Sequence, residues 1–282
     1  MQRKRVLITG ANSGIGKATA EELARRGADV VMVARDEKRG RRALEDVKRR
    51  SGNERVELLI ADLSTRDAIR SLAADVADRY GHLDVLVNNA AILTGTRRTT
   101  PEGFEMQFFV NHVAYYMLTC LLVGSLRAAA PARIVNVAST AHQSGVVDLD
   151  DLSHEGSTYS GWQAYANTKL MNVLFTYELA RRLEGTGITA NCVHPGVIHT
   201  NLINNYSWVL SRMFHALQIF FKKPADGADT PVYLASDAAV STVTGRYFSS
   251  REPAETTEAS YDRDLQRRLW EATAEIAGCT LE

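Results

Sequence analysis

Short runs of aliphatic and β-branched residues alternate along this chain with longer stretches whose apolar positions recur at helical spacing. Arg5-Val6-Leu7-Ile8-Thr9 is the first run, suited to a strand buried on both faces. Ser13 to Arg26 then reads as a helix, with Ala18, Leu23 and Ala24 on one side. The rhythm predicts further strands at Asp29–Ala34, Arg55–Ile60, Leu83–Asn88, Arg133–Val137 and Ile188–Val193. Between them it predicts helices at Asp36–Arg50, Ser64 to near Arg79, near Pro101 to Ala129, and Gly161–Leu183. Gly245–Phe248 reads as a last short strand before a charged helix around Asp264 to Ile276. Such alternation implies right-handed βαβ crossovers: an α/β fold with a single doubly wound, mostly parallel sheet and helices on both faces.

Two segments interrupt the rhythm. One, near 140–160, contains Asp148-Leu149-Asp150-Asp151-Leu152 and reads as a loop over the carboxyl edge of the sheet. The other, near 201–223, carries Trp208, Met213, Phe214, Phe220 and Phe221. Ligands of open α/β sheets bind beyond the carboxyl ends of the strands, so both are placed to wall a substrate site. For the second, a substrate wall is the preferred reading, with a subunit contact and then a membrane-surface helix as alternatives. No linker, repeat or low-complexity stretch divides residues 1–282, which read as one domain.

Composition narrows the function classes. Lysine plus arginine number 33, as do aspartate plus glutamate, so no charge excess points to nucleic acid or an anionic membrane. Arg41-Arg42 and Lys48-Arg49-Arg50 read as the wet face of a helix. Cys120, Cys192 and Cys279 are far apart and odd in number, which favours a reducing cytoplasm over a disulfide framework. The histidines share no ligand spacing with cysteines or acids, so no catalytic metal is expected. The longest apolar stretch, Val113 to Leu126, is short for a transmembrane span, and the basic N-terminus leads into a strand rather than a signal core.

Two motifs carry chemistry. Thr9-Gly10-Ala11-Asn12-Ser13-Gly14-Ile15-Gly16 lies between a strand and a helix. Gly10 and Gly14 allow the tight turn and a close approach to a pyrophosphate, and Gly16 lets the helix pack on the strand. This is a Rossmann-type cradle, with spacing G-x-x-x-G-x-G. Tyr165 and Lys169 are four apart, hence neighbours on a helix, where an ammonium and an oxidised nicotinamide would both favour the phenolate. Ser139, at the end of a predicted strand, can hydrogen-bond a substrate oxygen. The second strand ends Val33-Ala34-Arg35 with no carboxylate at its tip. Arg35, with Lys38 or Arg39, suits a 2′-phosphate, so NADP(H) is expected over NAD(H).

Taken in order, the glycine turn, Asp62-Leu63, Asn88-Asn89-Ala90, Asn111, Ser139, Tyr165-x-x-x-Lys169 and Pro195-Gly196 resemble the short-chain dehydrogenase/reductase family from Arg5 to at least Phe248. The resemblance implies a catalytic set of Asn111, Ser139, Tyr165 and Lys169. Tyr165 would be the general acid/base and Ser139 would orient the carbonyl or alcohol. Lys169 would bind the nicotinamide ribose and lower the phenol pKa, and the Asn111 region would hold a proton-relay water. It implies cofactor contacts at Gly10, Asn12, Ser13, Gly14, Ile15, Gly16, Asp62, Leu63, Asn89, Ala90, Tyr165, Lys169, Pro195, Gly196, Val197 and Thr200. Asp62 would accept from the adenine amine, and Thr200 would bond the carboxamide and a phosphate. Within the family the likeness is to retinol dehydrogenase-like members, carried by Asn111-His112-Val113 and His194-Pro195-Gly196-Val197-Ile198-His199-Thr200. Ala91 departs from the glycine usual there, and an apolar N-terminal anchor is lacking.

The expected function is NADP(H)-dependent interconversion of an alcohol and a carbonyl on a small, fairly hydrophobic substrate. Homodimer and homotetramer both stay open. Reduction of an activated C=C bond is a second enzymatic reading, against which Ser139 speaks. A non-catalytic nucleotide-sensing or scaffold protein is a third, against which the intact four residues speak.

Overall fold

The computed structural model describes residues 1–156, 158–196 and 224–281, and among them the strands join one sheet. The strands are β1 (Arg5–Thr9), β2 (Asp29–Ala34), β3 (Val56–Ile60), β4 (Val85–Asn88), β5 (Ala132–Val137), β6 (Ile188–His194), β7 (Tyr247–Ser249) and β8 (Glu252–Pro253). Their order is β3-β2-β1-β4-β5-β6-β7-β8, with every pair parallel except β7 with β8. The α/β doubly wound fold expected above is therefore the fold observed.

Period-two alternation divides the strand side chains between two cores. Leu7, Val31, Val33, Leu86 and Ile134 face α3 (Arg66–Tyr80), α4 (Met106–Ala128), α5 (Gly161–Arg182) and α7 (Arg263–Ala277). Val6, Ile8, Val30, Met32, Val85 and Val87 face α1 (Gly14–Arg25), α2 (Glu37–Ser51) and α6 (Pro224–Ser236). By length and composition α4 could cross a membrane, but most of it is buried in the first core, where it is a packing helix. The basic residues of α2 face solvent, and Arg41 and Arg49 pair with Glu37 and Asp46 of the same helix.

The structure departs from the sequence reading in four places. The helix expected from near Pro101 begins at Met106, because Gly103 takes φ +92° and Thr99 pairs with Glu105 in a small antiparallel bridge. Inside α4, Phe109–Val113 forms a π turn. The last strand sits at Tyr247–Ser249 and turns through Ser250 and Arg251, both at positive φ, into the unanticipated β8. Helix α6 was hidden by its Pro, Gly and Asp content, yet its buried face closes over α1 and the second core. Val197, Thr200 and the apolar segment 201–223 lie outside the described residues.

Candidate active site

Strand order reverses between β1 and β4, which opens a crevice at the carboxyl ends of the strands. The Thr9 hydroxyl at the end of β1 accepts from the backbone N–H groups of Asn89 at 2.9 Å and Ala90 at 3.0 Å. The Asn89 side-chain amide donates back to the Thr9 carbonyl at 2.7 Å. These bonds hold the glycine turn flat against the end of β4. A Cβ on Gly10 would stand 2.8 Å from Cα of Ala90, and one on Gly16 would stand 2.4 Å from Nδ2 of Asn89. Only glycine fits either place.

Ser13 caps α1 with extended backbone and makes no side-chain bond to the first turn. Amides there, with the helix dipole behind them, suit a phosphate. Asn12, Ser13, Gly14 and Ile15 are all half-buried along this mouth. The cradle fits a dinucleotide. At the tip of β2, Arg35 is exposed and makes no ion pair or hydrogen bond among the described residues. The neighbouring Asp36 carboxylate is engaged as the cap of α2, accepting from the Arg39 N–H at 2.7 Å. Asp62 is exposed and accepts from the Ser64 N–H at 3.1 Å, whereas the Leu63 side chain is buried in the core. Pro195 and Gly196, the latter at φ +91°, follow β6 at the same edge of the sheet.

Across the crevice, α5 presents Tyr165, Thr168, Lys169 and Asn172 at spacings of three and four, hence on one face. The Ser139 side chain stands beside the Tyr165 phenol, where it favours the phenolate. Ser139 ends the β5 segment and caps a 3₁₀ turn over Thr140–Ser144, its Oγ accepting from the Ala141 N–H at 3.2 Å. Its hydroxyl proton is thus left for another acceptor. Nζ of Lys169 lies 5.4 Å from the Tyr165 ring centre and donates to the Val137 carbonyl at 2.9 Å. Asn111 sits in the π turn, a form common at functional sites. Its side chain bonds the Ile92 backbone in both directions, at 2.8 and 3.0 Å, and donates to Thr168 Oγ1 at 3.2 Å. Structure therefore brings Asn111, Ser139, Tyr165 and Lys169 together.

Burial pushes the Tyr165 phenol up to about 12, outweighing the neighbouring Ser139 side chain, which lowers it. Burial also pulls the Lys169 amine down to about 7. Lowering of the phenol pKa by a lysine charge was the expectation. The protein groups alone act the other way, because desolvation disfavours both charges in the same dry place.

Several residues that shape the site were not singled out from sequence. Thr9 looks like the end of a strand, and only the return of β4 beside it shows its role. His142, noted only as lacking metal spacing, bonds the Ser139 carbonyl through Nδ1 at 2.6 Å and is fully buried. His194 receives the Thr140 N–H at 3.3 Å. Both histidines hold the turn that carries Ser139. The segment 140–156 lies along the start of α5, bonded through Val146 N–H to Asn167 and through Gln163 to the Ser144 carbonyl. Trp162 and Val146 stay 50% and 65% exposed nearby, leaving an apolar rim.

Comparison with known proteins agrees with this geometry. The family model described as short chain dehydrogenase matches residues 4–208. Human retinol dehydrogenase 13 is 38% identical over 280 residues, spanning 98% of this chain and 85% of that protein. Human retinol dehydrogenase 14 is 40% identical, spanning 99% and 87%. Among solved structures, an uncharacterized protein of Mycobacterium paratuberculosis superimposes with a TM-score of 0.82 at 32% identity, over 100% of this chain and 96% of its own. A short chain dehydrogenase of Salmonella enterica shares the fold, with a TM-score of 0.70 at 24% identity over 88% and 95%. A family match over more than half the chain, and relatives of such identity along nearly all of it, place this protein in the short-chain dehydrogenase/reductase family of oxidoreductases.

Proposed function

We propose that this protein is an NADP(H)-dependent oxidoreductase that interconverts a fairly hydrophobic alcohol and its carbonyl. The observation that carries the reading is the convergence of Ser139, Tyr165 and Lys169 on one side of a crevice whose other side is the glycine cradle. The relatives named as retinol dehydrogenases support a hydrophobic substrate, as does the rim of Trp162 and Val146. Cytoplasmic placement goes with the proposal on cysteine usage alone.

Bound nicotinamide supplies or accepts the hydride. The chain's own residues do the rest. Gly10 to Gly16 and the amides of α1 hold the pyrophosphate, and Lys169 holds the adjoining ribose. Ser139 directs its free hydroxyl proton at the substrate oxygen. Tyr165 donates its proton to that oxygen in reduction and takes it back in oxidation. Asn111 ties the π turn to α5 beside the tyrosine. The segment 140–156 and Trp162 keep water from the apolar part of the substrate.

A panel of long-chain, cyclic and isoprenoid aldehydes, ketones and alcohols, followed at the NADPH absorbance, tests this. Expected is turnover that rises along a homologous aldehyde series, each buried methylene adding about 0.8 kcal/mol, before a steric limit. Preference for small polar carbonyls would remove the hydrophobic-substrate reading. Consumption of NADPH only with conjugated double bonds would favour C=C reduction. Tight NADPH binding with no turnover on any member would leave a nucleotide sensor.

Cofactor choice rests on Arg35. NADPH should bind more tightly than NADH by about 2 kcal/mol, the scale of one charge-assisted pair. Arg35→Asp should reverse that order, since Asp36 is held as a helix cap and exerts no preference of its own. Calorimetric titration of both cofactors checks it; equal affinities in the native protein would sink the 2′-phosphate argument.

A further inference from the structure

A buried chain of polar side chains runs from the π turn away from the crevice to the C-terminal helix. Asn172 Nδ2 donates to the Asn111 carbonyl at 2.9 Å. His112 Nδ1 meets Asn172 Oδ1 at 3.3 Å, and His112 Nε2 meets Thr273 Oγ1 of α7 at 3.0 Å. Asn111, Asn172 and Thr273 are all 0% exposed and His112 is 1% exposed. Polar groups so placed must be mutually satisfied, because water cannot reach them.

Donor counting gives the chain a direction. Asn172 gives its amide proton to Asn111, so its oxygen must accept from His112, whose Nδ1 then carries the proton. Burial holds the imidazole pKa down to about 4, so the ring is neutral and Nε2 is an acceptor. The Thr273 hydroxyl donates to the Leu269 carbonyl at 2.7 Å and lies 3.0 Å from Nε2, which holds the ring against α7. The His112 and Asn172 protons both point toward the Asn111 carbonyl.

We propose that Asn172 is a positioning residue for the proton-transfer site, oriented by His112 and anchored through it to Thr273 of α7. Resting on the reading of the site given above, this assigns the C-terminal helix a role in catalysis without substrate contact. Asn172 lies three residues beyond Lys169 on α5, and Asn111 bonds Thr168 on the same helix. The π turn is therefore fixed to α5 at two points that bracket Lys169. Loosening the second point would let Asn111 shift relative to Tyr165 and Lys169.

Tautomer and turnover test it together. In ¹⁵N-histidine-labelled protein at neutral pH, His112 should show the neutral Nδ1–H form, assigned by loss of its signal in His112→Asn. An Nε2–H form overturns the proposal whether or not a substrate is known. Asn172→Ala should lower kcat at least about tenfold with NADPH affinity within a few-fold of native, a loss confined to the chemical step. His112→Asn keeps a donor at the Nδ1 position and should retain most turnover, whereas the apolar isostere His112→Leu should lose it, even if its thermal midpoint is the higher. Turnover that follows thermal stability across these variants would overturn the positioning role and leave a purely structural network. Native protein without turnover would instead refute the proposed function, and the tautomer result would still stand or fall by itself.

Discussion

Tyr165→Phe is expected to lower turnover by about 10³-fold or more, the upper range for a positioned general acid or base. NADPH affinity should stay within a few-fold of native. The phenylalanine ring keeps the packing of the tyrosine, which lies 6.0 Å from Trp162 and is 9% exposed, and only the transferable proton is lost. Direction matters too. Because burial holds the phenol near 12, it is protonated at neutral pH and ready to act as an acid. The phenol itself thus sets no fall in native reduction near neutral pH, whereas oxidation should climb as the pH approaches the phenol pKa in the complex. Steady-state rates in both directions, with cofactor affinities measured separately, provide the check. Near-native turnover of the phenylalanine variant would refute the acid/base assignment, however well the site resembles its relatives.

The parts of this molecule that sequence made legible are those where one local pattern has one meaning. Val6-Leu7-Ile8 before Gly10 and Gly14 can hardly be anything but a buried strand entering a tight glycine turn, and it is found so. Tyr165 and Lys169 share a helix face by spacing alone. What stayed hidden depends on partners far away in the chain. His112 bonds residues 60 and 161 positions away, and an isolated histidine in an apolar run gives no hint of either. That Asp36 leaves its neighbour Arg35 unpaired among the described residues shows only when its carboxylate is seen capping α2. Helix α6 contains Pro224, Gly227 and Pro231, which propensity counts against a helix, and burial against α1 overrides propensity. The phenol pKa followed the same rule: spacing reports which groups are neighbours, while desolvation is a property of the assembled core.

Lys169→Met should abolish most turnover and yet stabilise the fold, by an amount that depends on pH. The native amine is 1% exposed, donates to the Val137 carbonyl and faces the Tyr165 and Tyr115 rings, with no carboxylate bonded to it among the described residues. Burial therefore lowers its folded pKa to about 7, from the 10.5 of a free lysine. Between those two values the unfolded chain holds a proton at this amine that the folded chain has released. Native stability accordingly rises with pH across that window. Below about pH 7 both states are charged and the folded protein bears the full cost of a buried ammonium; above 10.5 both are neutral and the cost is gone. A depression of this size corresponds to about 5 kcal/mol between the two limits. Methionine has similar length and no charge at any pH. Its advantage over lysine in denaturant unfolding should be greatest near pH 6 and should shrink steadily toward pH 10. A stability difference that did not vary with pH, or a variant weaker than native at pH 6, would mean that the amine is charged and well paired in the folded protein. Lys169 would then be an ordinary ion-pair lysine, and the account of a dry, charge-poor site would fail with it.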